Sequence, residues 1–364
     1  MAGGSLDGPA PFLFVVGCGR SGTTLLRAML DSHPALAVPP ESWFVATLGR
    51  RYERRFDRDR FEVDLLAHGR FARWGLDPEA VSRSIRAADP SDVATAVRSV
   101  FAAYAASRGK PRYADKTPGY VLDLPLLARL FPEARFLHLV RDGRDVAASV
   151  AAGHFGPSSL HQAALYWARH VERGRAAGGD LGPGRYRELH YERLVSDPAA
   201  ALQEVCAFAG LAFEPAMLDY PARAAAVVAG TGTPGAHHGL TRAPTADLRS
   251  WRRDVPEPQV ALIEALVAPT LEACGYERAH PRPPAATVVR AACIRRATAA
   301  RLRLAPGARR ARRAVRTWRA RSLHGGPATP ATGGSAPESS AEPLAEPAVR
   351  GDHVVQAGRE GAQR

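Results

Sequence analysis

Lysine is almost missing from this chain. Of 49 basic residues only Lys110 and Lys116 are lysines, and the other 47 are arginines. Together with abundant alanine this reads as the coding bias of a GC-rich genome, and it draws attention to the two ammonium groups that remain. Cysteine is scarce as well: Cys18, Cys206, Cys274 and Cys293 lie far apart with no CxxC pair. That spacing suggests neither a zinc site nor a disulfide framework and points to a reduced, intracellular setting. No apolar run approaches the ~20 residues a membrane helix needs. The run Phe12 to Val16 is too short for a signal-peptide core and follows Asp7 with no basic residue before it, so an unsecreted, cytoplasmic protein is expected. No internal repeat is present. Hydrophobic residues at 46% and charged residues at 23% exclude a wholly disordered, collagenous or coiled-coil chain.

The formal charge of +13 is unevenly placed. Residues 1–280 carry 33 basic and 31 acidic side chains, residues 281–324 carry 13 arginines and no acid, and residues 325–364 carry 3 basic and 5 acidic groups. The body is near neutral and the excess sits in a tail. Composition therefore predicts a disordered N-terminus over 1–10, one folded domain over 11–280, an Arg-rich basic extension over 281–324 and a disordered low-complexity tail over 325–364.

Within the body, Phe12-Leu-Phe-Val-Val16 reads as a buried strand, Gly17 to Thr24 as a turn, and Leu25, Leu26, Met29 and Leu30 as one face of a helix. A short apolar segment over 36–38 runs into Pro39-Pro40-Glu41. Residues 45–110 read mostly as amphipathic helices, with Asp89-Pro-Ser-Asp92 as a start signal. A second strand spans 136–140 and a helix follows from Val146 to Ala151. Leu189 to Tyr191 reads as a third short strand, Asp197-Pro198 opens a helix to Gly210, and 259–274 is helical; between them 221–244 reads as a mobile loop. Alternating strands and helices predict an α/β fold with a central parallel sheet in a three-layer sandwich.

A strand feeding a glycine-rich turn into a helix offers unpaired backbone N–H groups and the positive helix end to an anion. Gly17-x-Gly19-x-x-Gly22 formally matches the dinucleotide fingerprint, with Glu41 at the distance of a ribose-binding acid, but Pro39-Pro40 breaks the chain where a strand should lead to that acid. Gly17-x-x-x-x-Gly22 also has Walker A spacing, yet Thr23 stands where the phosphate-binding lysine should be, and the later strand ends in Arg141 rather than in a magnesium-binding Asp. In a third reading, Arg20 inside the loop supplies positive charge to a phosphate-sulfate bridge without requiring a metal.

The motifs Gly19-Arg-Ser-Gly-Thr-Thr-Leu25 and Leu139-Val-Arg-Asp-Gly-Arg-Asp-Val-Ala-Ala-Ser149 resemble the 5′-phosphosulfate loop and 3′-phosphate segment of sulfotransferases that use 3′-phosphoadenosine 5′-phosphosulfate (PAPS). Tyr191-Glu-Arg-Leu-Val-Ser-Asp-Pro198 is similar to that family's third element, and Leu248-Arg-Ser-Trp-Arg252 to its nucleotide-covering segment, so the resemblance runs over about residues 11 to 278 in family order. It is closest in pattern to the bacterial and tyrosylprotein branch.

The resemblance implies a P-loop-like phosphosulfate loop in which Gly19, Ser21, Gly22, Thr23 and Thr24 hold the 5′-phosphate while Arg20 neutralises charge on the leaving group. It implies Glu41 as the general base, with a pKa that partial burial should raise, and Lys116 in Asp115-Lys-Thr-Pro118 as the contact to the transferring sulfuryl group. Arg141 and Ser149 would bind the 3′-phosphate, Tyr191 the nucleotide, and Trp251 with Arg252 would cover it. PAPS is then the co-substrate, 3′-phosphoadenosine 5′-phosphate (PAP) the product, and no metal is implied. Asp142, Arg144 and Asp145 read as capping or ion-pair residues, His138 as core, and His154 and His161 as reserve bases.

Two departures bear on the acceptor. The arginines that the tyrosylprotein branch carries two and six residues after its Glu are Trp43 and Thr47 here, and the lysine that often precedes the covering Trp is Ser250. A small-molecule, glycan or lipid hydroxyl is therefore expected rather than an acidic protein tyrosine. Trp43, Phe44, Phe71, Trp74 and Phe155 suit either an acceptor pocket or the core. A non-catalytic nucleotide- or membrane-binding module and a P-loop kinase are the alternatives; a binding module would need the phosphate contacts but no base. The basic tail, where Val288, Val289 and Ile294 interleave with Arg290, Arg295 and Arg296, is compatible with an anionic membrane surface at the inner face, and no specific nucleic acid is expected.

Overall fold

The computed structural model describes residues 11–153, 156–220 and 250–301. Strand β1 (Leu13–Gly17) feeds α1 (Thr23–Asp31), and β2 (Leu36–Ala37) follows. Four helices come next: α2 (Phe44–Tyr52), α3 (Arg58–Leu66), α4 (Pro78–Ala88) and α5 (Val93–Ser107). The chain then returns to the sheet as β3 (Arg112–Lys116), α6 (Leu124–Leu130), β4 (Arg135–Val140), α7 (Gly143–Ala151), α8 (Leu160–Leu181) and β5 (Tyr186–His190). Helices α9 (Tyr191–Ser196) and α10 (Pro198–Ala209) follow, and further on lie helices Trp251–Asp254 and Glu257–Ala273.

The five strands pair in the order β2-β3-β1-β4-β5, every pair parallel. Because β1 sits in the middle and is covered on both sides, its side chains alternate between two apolar layers. Phe14 and Val16 pack with α2, α5 and α6 on one face, and Leu13 and Val15 with α1 and α10 on the other. This is the three-layer α/β architecture that the alternating pattern predicts. Phe44, Phe71 and Trp74 are 0%, 4% and 1% exposed and belong to the first layer, so of their two readings the core is the one realised. Each such side chain contributes roughly 1.5–3 kcal/mol through burial.

The helix starts follow local chemistry. Asp57, Asp77, Asp92 and Asp197 each accept a hydrogen bond from a first-turn N–H of α3, α4, α5 and α10. The start signal ahead of Val93 is thus used as read. Two elements differ from expectation. Strand β3 is absent from the sequence reading because its ends, Arg112 and Lys116, are charged, and strand pairing on both sides, not apolar content, makes it extended. The third strand begins at Tyr186, three residues before the expected Leu189, and Tyr191 already lies in α9.

By packing, the chain divides into the units Met1–Ala279 and His280–Arg364. In the second, residues 285–301 are helical, with Val288 and Val289 exposed. Among the described residues no helix is long and apolar enough to cross a membrane. The disorder expected at 1–10 and 325–364, most of the Arg-rich extension, the loop over 221–244, His154 and Phe155 lie outside the described residues.

Candidate active site

In an open parallel sheet, ligands gather outside the carboxyl ends of the strands. The loop after β1, the turn after β2, the last residue of β3 and the segment after β4 all emerge at that edge. The glycine loop is built by steric necessity. A Cβ on Gly22 would lie 2.3 Å from the Tyr191 ring, and Gly22 has a φ of 93°, a left-handed conformation that side chains disfavour. Arg20 is left-handed too, at a φ of 73°. Gly22 caps α1 without a side-chain hydrogen bond, and the Ser21 hydroxyl is buried with no hydrogen-bond partner. An uncapped helix start beside an orphaned buried hydroxyl is a fit for a phosphate-like group, which would accept from both.

Arg20 Nε donates to Ser149 Oγ at 3.0 Å, tying the loop to the second turn of α7. The Arg141 guanidinium lies 4.4 Å from the centre of the Tyr191 ring and pairs with Asp145 at 3.3 Å. Arg20, Gly22, Arg141, Ser149 and Tyr191 therefore form one connected group, assembled from three separate stretches of sequence.

A second group surrounds Glu41. Lys116 Nζ donates to Glu41 Oε1 at 2.7 Å, and Trp43 Nε1 donates to Oε2 at 3.0 Å. The lysine side chain is 2% exposed and the glutamate 31%. Burial pushes the Glu41 carboxyl up, but Lys116 and Trp43 more than offset it, so the group stays below the usual carboxylate range and is ionised at neutral pH. The sequence argument asked for a rise; the lysine beside it reverses the sign. Burial pushes Lys116 below the usual lysine value, with Glu41 opposing and Arg27 reinforcing that shift.

The turn that carries Glu41 is pinned from β3 and the segment after it. Ser42 N donates to Thr117 Oγ1 at 3.0 Å, Ser42 Oγ and Tyr120 Oη lie 2.8 Å apart, and Tyr120 Oη accepts from Val45 N at 3.0 Å. Asp115 is 1% exposed and neither carboxylate oxygen has a hydrogen-bond partner. Burial lifts this carboxyl to about 7, against the favourable pull of the nearby Ser42 and Thr117 hydroxyls. Sequence reasoning missed Ser42, Tyr120 and Asp115 in this role, because nothing in their spacing marks them; they meet only through the β2-β3 pairing.

Trp251 reaches the first group through Asp145, the partner of Arg141, and is otherwise engaged by the Asp142–Arg144 network. Trp251 N donates to Asp145 Oδ1 at 2.7 Å and its indole N–H to Asp142 Oδ2 at 3.2 Å, while its ring lies 3.9 Å from the Arg144 guanidinium. Arg144 in turn pairs with Asp142 at 2.7 Å and with the fully buried Glu264 at 2.5 Å. Asp142 also caps α7 through Arg144 N. Arg252 is exposed, its guanidinium 4.3 Å from the Trp251 ring. His138 is fully buried against the Tyr186 hydroxyl at 2.6 Å, and burial pushes it down to about 4. His161 sits at the start of α8 beside Ser159, 3.5 Å away.

The chain is similar to known proteins. A family model described as the sulfotransferase family matches residues 11–215. Protein-tyrosine sulfotransferase A of Caenorhabditis elegans is 23% identical over 274 residues, which cover 74% of this chain and 68% of that protein. Nodulation protein NoeE of Sinorhizobium fredii is 30% identical over 231 residues, 57% of this chain and 52% of its own length. Among solved structures, the sulfotransferase domain of the Synechococcus PCC 7002 olefin synthase is similar at 28% identity, with a TM-score of 0.44 over 60% of this chain and 79% of that one.

Proposed function

The chain belongs to the sulfotransferase family, and from that premise we propose that it moves the sulfuryl group of PAPS directly to the hydroxyl of a small-molecule, glycan or lipid acceptor. The observation that carries this reading is the Lys116–Glu41 pair, 2.7 Å apart at the carboxyl edge of the sheet. A binding module needs phosphate contacts but has no use for an ionised carboxylate beside a buried ammonium.

The loop around Ser21 and the start of α1 hold the 5′-phosphate, and Arg141 with Ser149 holds the 3′-phosphate, the group that separates PAPS from ATP. PAPS supplies an activated sulfuryl group, so little covalent help is asked of the protein and the task is positioning and charge. Glu41 takes the acceptor proton as the new O–S bond forms. Lys116 turns its ammonium to the sulfuryl oxygens, and Arg20 meets the charge on the departing phosphate. Tyr191 packs against the nucleotide, and Trp251 with Arg252 anchors the segment that covers it.

Trp43 and Thr47, standing where arginines would greet an acidic peptide, support an acceptor that is apolar or sugar-bearing. For the unit 280–364 the proposed partner is an anionic membrane surface, supported by exposed Val288 and Val289 among arginines on the helix over 285–301 and testable by sedimentation with phosphatidylserine vesicles.

Thermal unfolding of the full chain with PAP, with ATP and magnesium, and with NAD(P)H tests the nucleotide. PAP without magnesium at 100 times its dissociation constant should add ~2.7 kcal/mol, a shift of several degrees. Stabilisation by ATP with magnesium alone, or by NAD(P)H alone, would overturn the reading. Transfer from radiolabelled PAPS to phenols, sugars, lipid alcohols and an acidic tyrosine peptide then sorts the acceptor classes.

A further inference from the structure

Trp43 is the one aromatic residue among the described ones whose backbone lies at positive φ, at 49°. A large aromatic in that conformation is an outlier that surrounding structure must hold in place. Phe44 N donates to Ser42 O, closing a turn of three residues about Trp43. The far edge of the indole rests on Gly119, where a Cβ would stand 2.4 Å from Trp43 Cη2. The Tyr120 ring lies 6.1 Å away, edge to face. These constraints have one shared consequence: they aim the indole N–H at Glu41 Oε2, while Lys116 occupies Oε1.

A carboxylate oxygen has two lone pairs, so Oε1 can take a proton on the one Lys116 does not use, and it is fully open once Lys116 turns away. Lys116 is the partner that leaves, since its ammonium is needed at the sulfuryl group. We propose that Trp43 is a positioning residue whose indole N–H keeps the Glu41 carboxylate oriented when Lys116 turns away, leaving Oε1 open to the acceptor hydroxyl. The proposal rests on the reading of Glu41 as the base. In the step itself the acceptor O–H bond breaks as Oε1–H forms, the acceptor oxygen bonds to sulfur, and the electron pair of the cleaved sulfur–oxygen bond stays on the departing 5′-phosphate. Loss of the Trp43 hydrogen bond removes a contact that favours the ionised form, so the Glu41 carboxyl then titrates at higher pH. The other charged or titratable groups facing Glu41 are Lys116 and Asp115 on β3, Arg27 on α1, Arg70 ahead of the 3-10 turn Phe71–Trp74, and Tyr166 on α8.

Because the contact is a property of the protein without acceptor, it can be read by NMR. In full-length protein labelled with 15N-tryptophan and carboxyl-13C-glutamate, Trp43→Phe identifies the Trp43 indole signal and Glu41→Gln the Glu41 signal. The indole signal should follow the Glu41 titration in the wild type and still follow it in Lys116→Met. In Trp43→Phe the Glu41 titration should move to higher pH. Gly119→Ala, which leaves Trp43 present but displaces its ring, should move it the same way. An indole signal indifferent to Glu41, or lost from the titration once Lys116 is gone, would overturn the proposal. Should Glu41→Gln leave sulfuryl transfer intact, the base reading fails and takes this inference with it. If Glu41→Gln abolishes transfer while the indole stays silent, the inference alone fails.

Discussion

Lys116 Nζ stands 2.7 Å from Glu41 Oε1, across 75 residues of sequence. The contact exists because β2 and β3 run parallel side by side, so the turn after one and the last residue of the other leave the sheet at the same edge. Each member shifts the other's titration: the lysine draws the carboxyl below its usual range, and the carboxylate opposes the downward push of burial on the lysine.

Replacing Glu41 with Gln should lower kcat by about 10²–10⁴, the usual span of a lost general base, with little change in PAP affinity. Lys116→Met should lower kcat as well, since its ammonium is asked to meet the sulfuryl oxygens in the same step. Steady-state kinetics and PAP titration separate the two effects; a tenfold or greater loss of PAP affinity in Glu41→Gln would move the residue out of the acceptor side of the site.

The connected group around Ser149 carries a different expectation. Arg141→Ala removes a charge-assisted contact and should weaken PAP by about 10- to 100-fold, while adenosine 5′-phosphosulfate, which lacks the 3′-phosphate, should bind wild type and variant alike. Calorimetry with both nucleotides checks this. Equal losses for the two would place Arg141 away from the 3′-phosphate.

Asp115 gives the protein a pH dependence of stability. Its carboxyl titrates near 7 in the folded protein and near ~3.9 when unfolded. Between those values the folded chain holds a proton that the unfolded chain has lost, so stability falls as pH rises from about 4 to about 7 and stays lower above. Asp115→Asn removes that loss. Compared with wild type its unfolding free energy should gain roughly 2–4 kcal/mol at pH 8 relative to pH 4, measured by urea denaturation at both values. A difference independent of pH would mean that Asp115 is ionised throughout.

Arg144 is 2% exposed between Asp142 and Glu264, with the Trp251 ring over it. Arg144→Met keeps the volume but strands two buried carboxylates, and should destabilise the protein by about 3–5 kcal/mol. Urea unfolding reads the loss. A cost under about 1 kcal/mol would show that water reaches the carboxylates without unfolding.

The order strand, glycine loop, helix was legible because it is local: an apolar run, residues free to take positive φ, then a 3.6-residue period. The caps at Asp92 and Asp197 were legible for the same reason. The segment Arg141 to Ser149 could be read as a turn and helix start, since Asp142 acts on an N–H only two residues away. Strand β3 could not be read, because its charged ends carry no periodic signal and its extended form comes from neighbours distant in sequence.

The sequence by itself determined which chemical groups this protein possesses and their local conformations: the glycine loop between strand and helix, the candidate carboxylate and the two lysines. Tertiary structure alone decided how those groups act on one another. It placed Lys116 against Glu41, turned an expected rise in the carboxyl's pKa into a fall, sent Arg20 to Ser149, and drew Trp251 into the Asp142–Arg144 network. Coulomb and hydrogen-bond energies depend on separations of a few ångströms and on burial, and across many residues of chain those are properties of the packed sheet, not of sequence spacing.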